Sequence, residues 1–450
     1  MSLTAIQTAT SQVSLSPNHL GIIRGAGDIP SGSLEAANRL LQQNHDAHHI
    51  FWRDFAGHNH TVHNVLTSLA LGATPEELQS AFEDNLPGQR PPPPVDEEAI
   101  RSLHDEAKFH EKIGDMTHYT NYLKFFETLI EERGWKDVVN EYCFSHSRVA
   151  DAMLIRIFDG AFHSIIHLGL GIEFQQASII AEGLAQAAVH DHLGTDPFFL
   201  DAEKLANDST YEKHNLVDLF KEARANERIR TAARWDDFAV TKMKVGVLGR
   251  SLREITQLAA KFRVAPEEVE ERTAEMISCC AYMAGAGQRE GKARKIDFFY
   301  MHDVTASIFL TVLMRQPWIS TEDKARMVEW KCRLDLVWYA SCGIPELDGR
   351  NISEYGGGLA DGMDWNTLYK AINAMHDDGH VAKFVRALKN GEEVSRPFEK
   401  DSAAFPVKGD LWLRLARMAY DSTVNKVHEE KWIYFAGFDQ PWEKVPASGA

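Results

Sequence analysis

The stretch Phe158–Phe174 has the sequence FDGAFHSIIHLGLGIEF, and it decides the fold class that we expect. His163 and His167 lie four residues apart in an apolar run without proline, a spacing that stacks both imidazoles on one face of a helix. Two neutral imidazoles on such a face can bind one metal ion. Alternatively, each is a core histidine held by a hydrogen bond, and the pair alone does not decide between these interpretations.

Composition and charge exclude several classes of partner. The chain has 450 residues, of which 44% are apolar, and its formal net charge is −17. Nucleic acid and anionic membranes require a basic face, so neither is expected as a partner. The five cysteines include no CxxC pair, which predicts reduced thiols in an intracellular protein. We find neither a signal-peptide pattern nor a run of about 18 apolar residues, so the expected location is the cytoplasm.

Helical periodicity continues along most of the chain, and no segment shows the alternating pattern of a strand. Residues 1–32 are rich in Ser, Thr, Gly and Pro, which predicts a surface segment, and residues 33–450 are predicted to form a single large helical domain. Proline at the first helical position predicts helix starts after Thr74 and Ala265, and a serine cap predicts another after Ser320. The predicted fold class is all-α.

The first of three further histidine groups lies in HNHTVHNVLTSLALGA, residues 58–73, which predicts a helix. On that helix His58 lies on the apolar stripe, His63 lies on its flank, and His60 points outward. One or two of the three could be metal ligands, and a histidine-rich helix cap is the alternative.

The other two groups lie in the second half of the chain. His302 is the lone polar ring of an apolar segment, where a hydrogen bond within the segment would also explain it. His380 and Lys383 are three residues apart and share a helical face, although most lysines are solvated. A further pair, His190 and His192, is interpreted as a helix-end cap.

Common catalytic and cofactor motifs are absent or stand in the wrong context. HSIIH lacks the glutamate of the zinc-protease motif HExxH. The segment GAGQREG, residues 285–291, resembles a dinucleotide loop only faintly, because it follows a helical pattern and its glycines have the wrong spacing. There is no P-loop and no GxSxG motif. If the chain carries out redox chemistry, a metal is the simplest agent.

Four motifs together resemble the questin oxidase-like family of fungal polyketide pathways. They are HNHxxHN (58–64), FHxxIHLGxGxEF (162–174), YMHxVT (300–305) and DDGHxxKxxRAL (377–388), and the match runs from about residue 35 to 425. The resemblance implies a soluble, all-helical, O2-dependent oxidoreductase that opens an anthraquinone-type ring. Members are described both as NADPH-linked Baeyer–Villiger-type oxygenases and as non-heme iron dioxygenases, in which four histidines and a carboxylated lysine hold the metal.

The resemblance also implies which residues form the site. The expected metal ligands are His58 or His63, one or both of His163 and His167, and His302, His380 and Lys383. Imidazole and carboxylate donors suit Fe2+, and a carbamate on Lys383 would add oxygen donors and a negative charge. The side chains expected to contact substrate are Phe298, Phe299, Tyr300 and Trp338, so binding of an anthraquinone should survive high salt.

The function expected is that of a non-heme iron dioxygenase that cleaves a C–C bond of an anthraquinone-type aromatic polyketide in fungal secondary metabolism, with O2 as co-substrate. Two alternatives stay open. One is an NADPH-dependent Baeyer–Villiger-type monooxygenase, and the other is a non-enzymatic helical ligand-binding protein.

Overall fold

A computed structural model describes residues 9–54, 57–191, 194–210, 212–400 and 402–448. Within these ranges the regular structure is helical, and β-type pairing is limited to three isolated bridges. The predicted all-α fold is therefore confirmed. Among the described helices, none combines the length and apolar content that crossing a bilayer requires. The five cysteines are buried and free.

The helices group into two compact units. The first unit comprises Met1–His192 with the short segments Gln316–Ile319 and His376–Gly379, and the second comprises Leu193–Arg315, Ser320–Met375 and His380–Ala450. The first described residues of the chain contact the first unit, where Val13 N donates to Gln42 and Ile22 N donates to Glu173. The predicted boundary at residue 33 stays a prediction, although the first α-helix does begin there.

The first unit contains the first ten described α-helices. They are α1 (Ser33–Ala47), α2 (Thr61–Ala70), α3 (Pro75–Glu83), α4 (Glu97–Ser102), α5 (Glu106–Lys112), α6 (Tyr119–Arg133), α7 (Trp135–Val139), α8 (Arg148–Phe158), α9 (His163–Glu173) and α10 (Ala177–Val189).

The second unit contains the remaining described α-helices. They are α11 (Asp196–Asn207), α12 (Leu216–Ala225), α13 (Glu227–Arg230), α14 (Leu248–Ala259), α15 (Val269–Ala286), α16 (Phe298–Met314), α17 (Thr321–Ser341), α18 (Arg350–Ser353), α19 (Trp365–Asn373), α20 (His380–Ser395), α21 (Leu411–Thr423) and α22 (His428–Lys431).

Capping side chains begin the helices where the sequence predicts them. The Thr74 hydroxyl accepts from the backbone of Glu77, whose carboxylate accepts from Thr74 N, and this capping box starts α3. The Ser320 hydroxyl accepts from Asp323 N at 3.0 Å and starts α17. After Ala265, a 3-10 turn precedes α15.

The two helices that carry His163 and His302 lie in the interiors of their units. All residues of α9 are buried, as are most of those of α16. In the first unit α9 packs closely on α10, because a Cβ at Gly183 would lie 2.7 Å from Leu168 Cα. Interior imidazoles require hydrogen-bond or metal partners, so these two helices position the candidate site.

Candidate metal-binding histidines

Three imidazoles of the first unit lie next to the ring of His163. The His58 ring is nearly parallel to it, with 3.8 Å between the centroids. The centroids of the His60 and His63 rings lie 5.0 Å and 6.1 Å from that of His163. The Nε2 atoms of His60 and His163 lie 2.8 Å apart.

Hydrogen bonds on the far side of these two rings decide which nitrogen can bind a metal. His163 Nδ1 donates to the Gly160 carbonyl at 2.6 Å, so in the neutral ring the lone pair is on Nε2. His60 Nδ1 faces a carboxylate oxygen of Asp378 at 3.3 Å, which likewise leaves the lone pair on Nε2. Two lone pairs thus face each other, an arrangement that requires a shared proton or a cation.

The spacing of these nitrogens agrees with a metal-bound pair. Nitrogen ligands about 2.1 Å from a metal and at right angles around it are about 3.0 Å apart. The Nε2 atoms of His60 and His163 are separated by 2.8 Å. The carbonyl and carboxylate contacts behind the rings are those that usually orient metal-binding imidazoles.

The prediction that His60 points outward is wrong. The helix α2 begins only at Thr61, so residues 58–60 do not have the helical phase from which that direction was inferred. His58 instead forms a β-bridge with Phe51, and His60 precedes the helix with φ −96° and ψ 0°. Its side chain is only 12% exposed and faces the interior of the first unit.

His167 and His63 belong to a chain of buried acids and imidazoles. His167 Nε2 donates to Glu182 at 2.7 Å, and its Nδ1 lies 3.2 Å from His63 Nε2. The second Glu182 oxygen lies 2.6 Å from His45 Nδ1, and His45 Nε2 lies 3.1 Å from Glu127. The structure therefore directs the rings of His163 and His167 to different partners.

The acids of this chain determine its charge. Burial by itself lowers the pKa of His45, but the hydrogen bonds and charges of Glu127 and Glu182 outweigh burial and raise the pKa to about 10. Burial raises the pKa of Glu182, but its contacts with His167 and His45 outweigh burial and lower the pKa to about 2. His45 is thus a cation between two carboxylates near neutral pH.

His58 faces His190, a contact that sequence reasoning missed. Their Nε2 atoms are 3.0 Å apart although 132 positions separate the residues. His190 follows α10 directly, as expected for a helix-end residue, and His192 lies outside the described residues. Burial lowers the pKa of His190, but hydrogen bonds and charge from Asp191, with the charge of Asp159, raise it overall.

The second unit contains a matching pair, His302 and His380. Their Nε2 atoms are 3.2 Å apart. His302 Nδ1 donates to the Phe298 carbonyl at 2.7 Å, so its Nε2 carries the lone pair toward His380. Lys383 lies one turn after His380 on α20, and it is only 3% exposed. The predicted i, i+3 placement of His380 and Lys383 on one helix is confirmed.

Aromatic rings surround this second pair. The Phe298 centroid lies 4.5 Å from that of His302 and 5.3 Å from that of His380. Trp432 lies 6.2 Å from His380, and Tyr434 stacks on Phe298 at 4.7 Å. Trp432 and Tyr434 were missed from the sequence because they follow the last motif and reach the pair only through folding.

The other predicted substrate contacts are placed differently. Phe299 stacks on Trp338 with centroids 4.7 Å apart, so these two rings form a separate stack. Tyr300 is fully buried, and its hydroxyl donates to the Tyr339 carbonyl at 3.3 Å. Of the four predicted residues, Phe298 is thus the one for which the structure gives ring contacts with the pair.

Comparison with known proteins matches the segment that carries these residues to one protein family. A family model described as questin oxidase-like matches residues 57–388, a range that includes all the candidate ligands. The chain is 52% identical to Baeyer-Villiger oxidase ptaJ of Pestalotiopsis fici, over 98% of this chain and 99% of that protein. It is also 52% identical to a questin oxidase of Aspergillus terreus, over 97% of this chain and 98% of that protein. Baeyer-Villiger monooxygenase dmxR6 of Cryptosporiopsis sp. is 50% identical, over 97% of this chain and 99% of that protein.

Proposed function

The chain belongs to the questin oxidase-like family and is an O2-dependent oxidoreductase, and from this premise we propose that it cleaves a C–C bond of an anthraquinone-type polyketide in fungal secondary metabolism. Relatives carry the names questin oxidase and Baeyer-Villiger oxidase. A Baeyer–Villiger oxidation inserts oxygen between a carbonyl carbon and its neighbour, and a quinone ring offers two such carbonyls. Because the relatives in this family are named as oxidases, we discard the alternative of a non-enzymatic helical ligand-binding protein.

We further propose that the cofactor is non-heme Fe2+, held by four histidines and by Lys383 in carboxylated form. The observation that carries this proposal is the close approach of imidazole Nε2 atoms, at 2.8 Å for His60 with His163 and at 3.2 Å for His302 with His380. Here His60 takes the place for which the sequence offered His58 or His63. His163 is preferred to His167, because the latter is engaged by Glu182 and His63.

The donor set suits the chemistry. Imidazole with carboxylate oxygen is a common environment for iron that activates O2. Four neutral imidazoles alone would leave the charge of Fe2+ uncompensated in buried surroundings, whereas a carbamate on Lys383 would supply one negative charge. The backbone carbonyls of Gly160 and Phe298 hold the imidazoles of His163 and His302 in the metal-binding tautomer.

The remaining alternative is an NADPH-dependent monooxygenase, and one relative carries the name Baeyer-Villiger monooxygenase. A dioxygenase places both atoms of O2 in the product and needs no external reductant. A monooxygenase takes two electrons from NADPH and releases the second oxygen atom as water.

The test loads the purified chain with Fe2+ without oxygen and then adds a panel of anthraquinones with isotope-labelled O2. We expect about one iron per chain, a cleaved product with two labelled oxygen atoms, and no requirement for NADPH. One labelled atom with matched consumption of NADPH would support the monooxygenase. A chain that binds no iron would contradict the metal proposal, and the absence of cleaved product across the panel would contradict the substrate class.

Substitutions at Lys383 test the carbamate. Lys383→Ala should lose iron and activity, and Lys383→Arg should not recover them, because guanidinium stays charged and cannot be carboxylated. Lys383→Glu should recover a little, since it restores a carboxylate on a shorter side chain. Acid should release the iron reversibly from the wild-type chain, because protonation removes the carbamate. An active Lys383→Arg variant would contradict this ligand.

A further inference from the structure

A large cleft lies within the second unit, with a volume of about 1560 Å³. The loop 288–295, with the sequence QREGKARK, forms part of its wall. This loop overlaps the faint dinucleotide motif, which the proposed function does not use. Lys292, Arg294 and Lys295 of the loop line the cleft, and other basic side chains lie around them.

Two of these cations donate their hydrogen bonds to neutral carbonyl groups. Lys292 Nζ donates to the Val445 carbonyl at 2.8 Å, and Lys295 Nζ donates to the Ser422 carbonyl at 2.9 Å. Carbonyl oxygens satisfy the hydrogen bonds of an ammonium group but leave its charge in place. Burial, and then the nearby charge of Lys426, lower the pKa of Lys295 to about 8, and the charge of Glu430 opposes them only in part.

Acidic residues also contribute to the lining, and two of them contact neighbouring protein groups. Asp348 pairs with Arg350 at 2.6 Å, and Asp421 accepts from the Tyr355 hydroxyl at 2.6 Å. Glu429 and Glu430 line the cleft as well. The loop 288–295 contains four basic residues and one acid, Glu290, and its Arg289 pairs with Asp439 at 2.8 Å. It is therefore a basic stretch of the wall, on a chain whose net charge is −17.

The cleft also extends to the aromatic surroundings of His302 and His380. Trp432 and Tyr434 line it, and Tyr434 is 40% exposed. The same two rings pack toward the histidines, Trp432 at 6.2 Å from His380 and Tyr434 through its stack on Phe298. A flat ligand against Trp432 would therefore lie one aromatic ring away from His380, and a ligand stacked on Tyr434 would be separated from the histidines by Tyr434 and Phe298.

We propose that this cleft binds the substrate as an aromatic anion, with its rings against Trp432 and Tyr434 and its negative charge facing the loop 288–295. The class of ligand is an ionised polyphenol or an aromatic carboxylate, because the lining of the cleft offers both aromatic rings and positive charge. This inference rests on the proposed function and adds the charge of the substrate and its place of binding. It also limits the prediction of salt-insensitive binding to uncharged anthraquinones.

The test measures equilibrium binding of two probes to the iron-free, full-length chain by quenching of tryptophan fluorescence. Anthraquinone-2-carboxylate is the anionic probe, and 2-(hydroxymethyl)anthraquinone is the uncharged probe of similar shape. The variant Lys292→Gln/Arg294→Gln should bind the anionic probe about tenfold more weakly and the uncharged probe unchanged. Added salt should weaken binding of the anionic probe alone.

Two controls make the outcome decisive. Lys221→Gln, at an exposed position of α12 outside the cleft lining, should leave both dissociation constants unchanged. Tyr434→Leu should weaken both probes severalfold, because it removes the stacking surface. Equal effects of the double variant on both probes, or none on either, would overturn the proposal, as would displacement of the anionic probe by NADPH. Because neither iron nor O2 is present, failure here is separate from failure of the iron proposal.

Discussion

Carboxylates contact His60, His45 and His167 in the first unit, whereas aromatic rings surround the histidine pair in the second. Asp378 faces His60, and Glu182 bridges two further imidazoles. Around His302 and His380 the contacts are with Phe298 and Trp432 instead. Histidine thus has two settings in this molecule. In the first unit the neighbouring carboxylates determine the charge and orientation of the imidazoles, and in the second unit the neighbouring aromatic rings offer a flat apolar surface to a ligand.

If both settings serve a metal, removing a histidine from either should have the largest effect. His163→Ala and His302→Ala should each lose most of the bound iron and reduce activity by more than about 100-fold. This loss exceeds the one usually caused by changing a residue that only hydrogen-bonds to a metal ligand. Iron analysis and turnover measure this, and far-UV circular dichroism should stay helical. His428→Ala, at an exposed position, is the control. A variant that keeps full iron would remove its pair from the proposed ligands.

Glu182→Gln tests whether the buried carboxylate and imidazole groups of the first unit are charged and stabilise the fold. The substitution removes a buried carboxylate that contacts His45 and His167, and it leaves the His45 cation with one acid partner. Breaking a buried ion pair costs about 3–5 kcal/mol, so urea unfolding should show a loss of that size. Glu111→Gln, on an exposed side chain, should stay within about 0.5 kcal/mol of wild type. Equal stability of the Glu182 variant and the wild type would mean that the buried contacts among Glu127, His45 and Glu182 are not ion pairs.

The pH dependence of this stabilisation has a definite sign. The pKa of His45 is raised from 6.5 to about 10 in the folded chain, so its stabilisation is complete below pH 6.5 and is lost as the pH rises through 10. The pKa of Glu182 is lowered from 4.5 to about 2, so its stabilisation is complete above pH 4.5 and is lost as the pH falls through 2. The free-energy difference between wild type and Glu182→Gln should therefore be greatest between pH 4.5 and 6.5. A difference that rose steadily toward pH 10 would contradict this assignment.

Local features of the sequence predicted more of this molecule than long-range ones did. Thr74 and Ser320 cap helices through residues three positions away, so their patterns are visible in a short window. The direction of His60 depends on where α2 begins, which an unbroken apolar pattern does not show. The His58–His190 contact and the approach of Tyr434 to Phe298 join segments more than 100 residues apart, so only the folded chain brings them together.

Gly160→Ala tests whether the histidine rings of the first unit need the left-handed backbone and the missing side chain at position 160. Gly160 has φ +61°, and a Cβ there would lie 2.0 Å from His190 Nε2 and 2.9 Å from His58 Nε2. Gly72→Ala is the matched control, because its φ is +88° and no described atom lies within 4 Å of the added carbon. Both variants should lose about 1 kcal/mol to the left-handed conformation. Gly160→Ala should lose at least about 1 kcal/mol more through overpacking, together with iron affinity, since the Gly160 carbonyl orients His163. Equal losses in the two variants would show that these rings can move aside.

The smallest expected effect concerns the aromatic setting, where Phe298→Leu separates a ligand surface from a structural one. The backbone carbonyl that accepts from His302 is unchanged by this substitution, so bound iron should stay at the wild-type level. What is lost is a ring that stacks with Tyr434, and an aromatic contact of this kind contributes about 0.5–1.5 kcal/mol. If substrate uses the same surface, KM should rise about 3- to 10-fold. Phe299→Leu is the matched control, because Phe299 stacks on Trp338 instead and should affect the free energy of unfolding more than KM. Should Phe299→Leu raise KM while Phe298→Leu does not, the substrate would lie against the Trp338 stack, and the aromatic rings around His302 and His380 would serve only to pack the histidines.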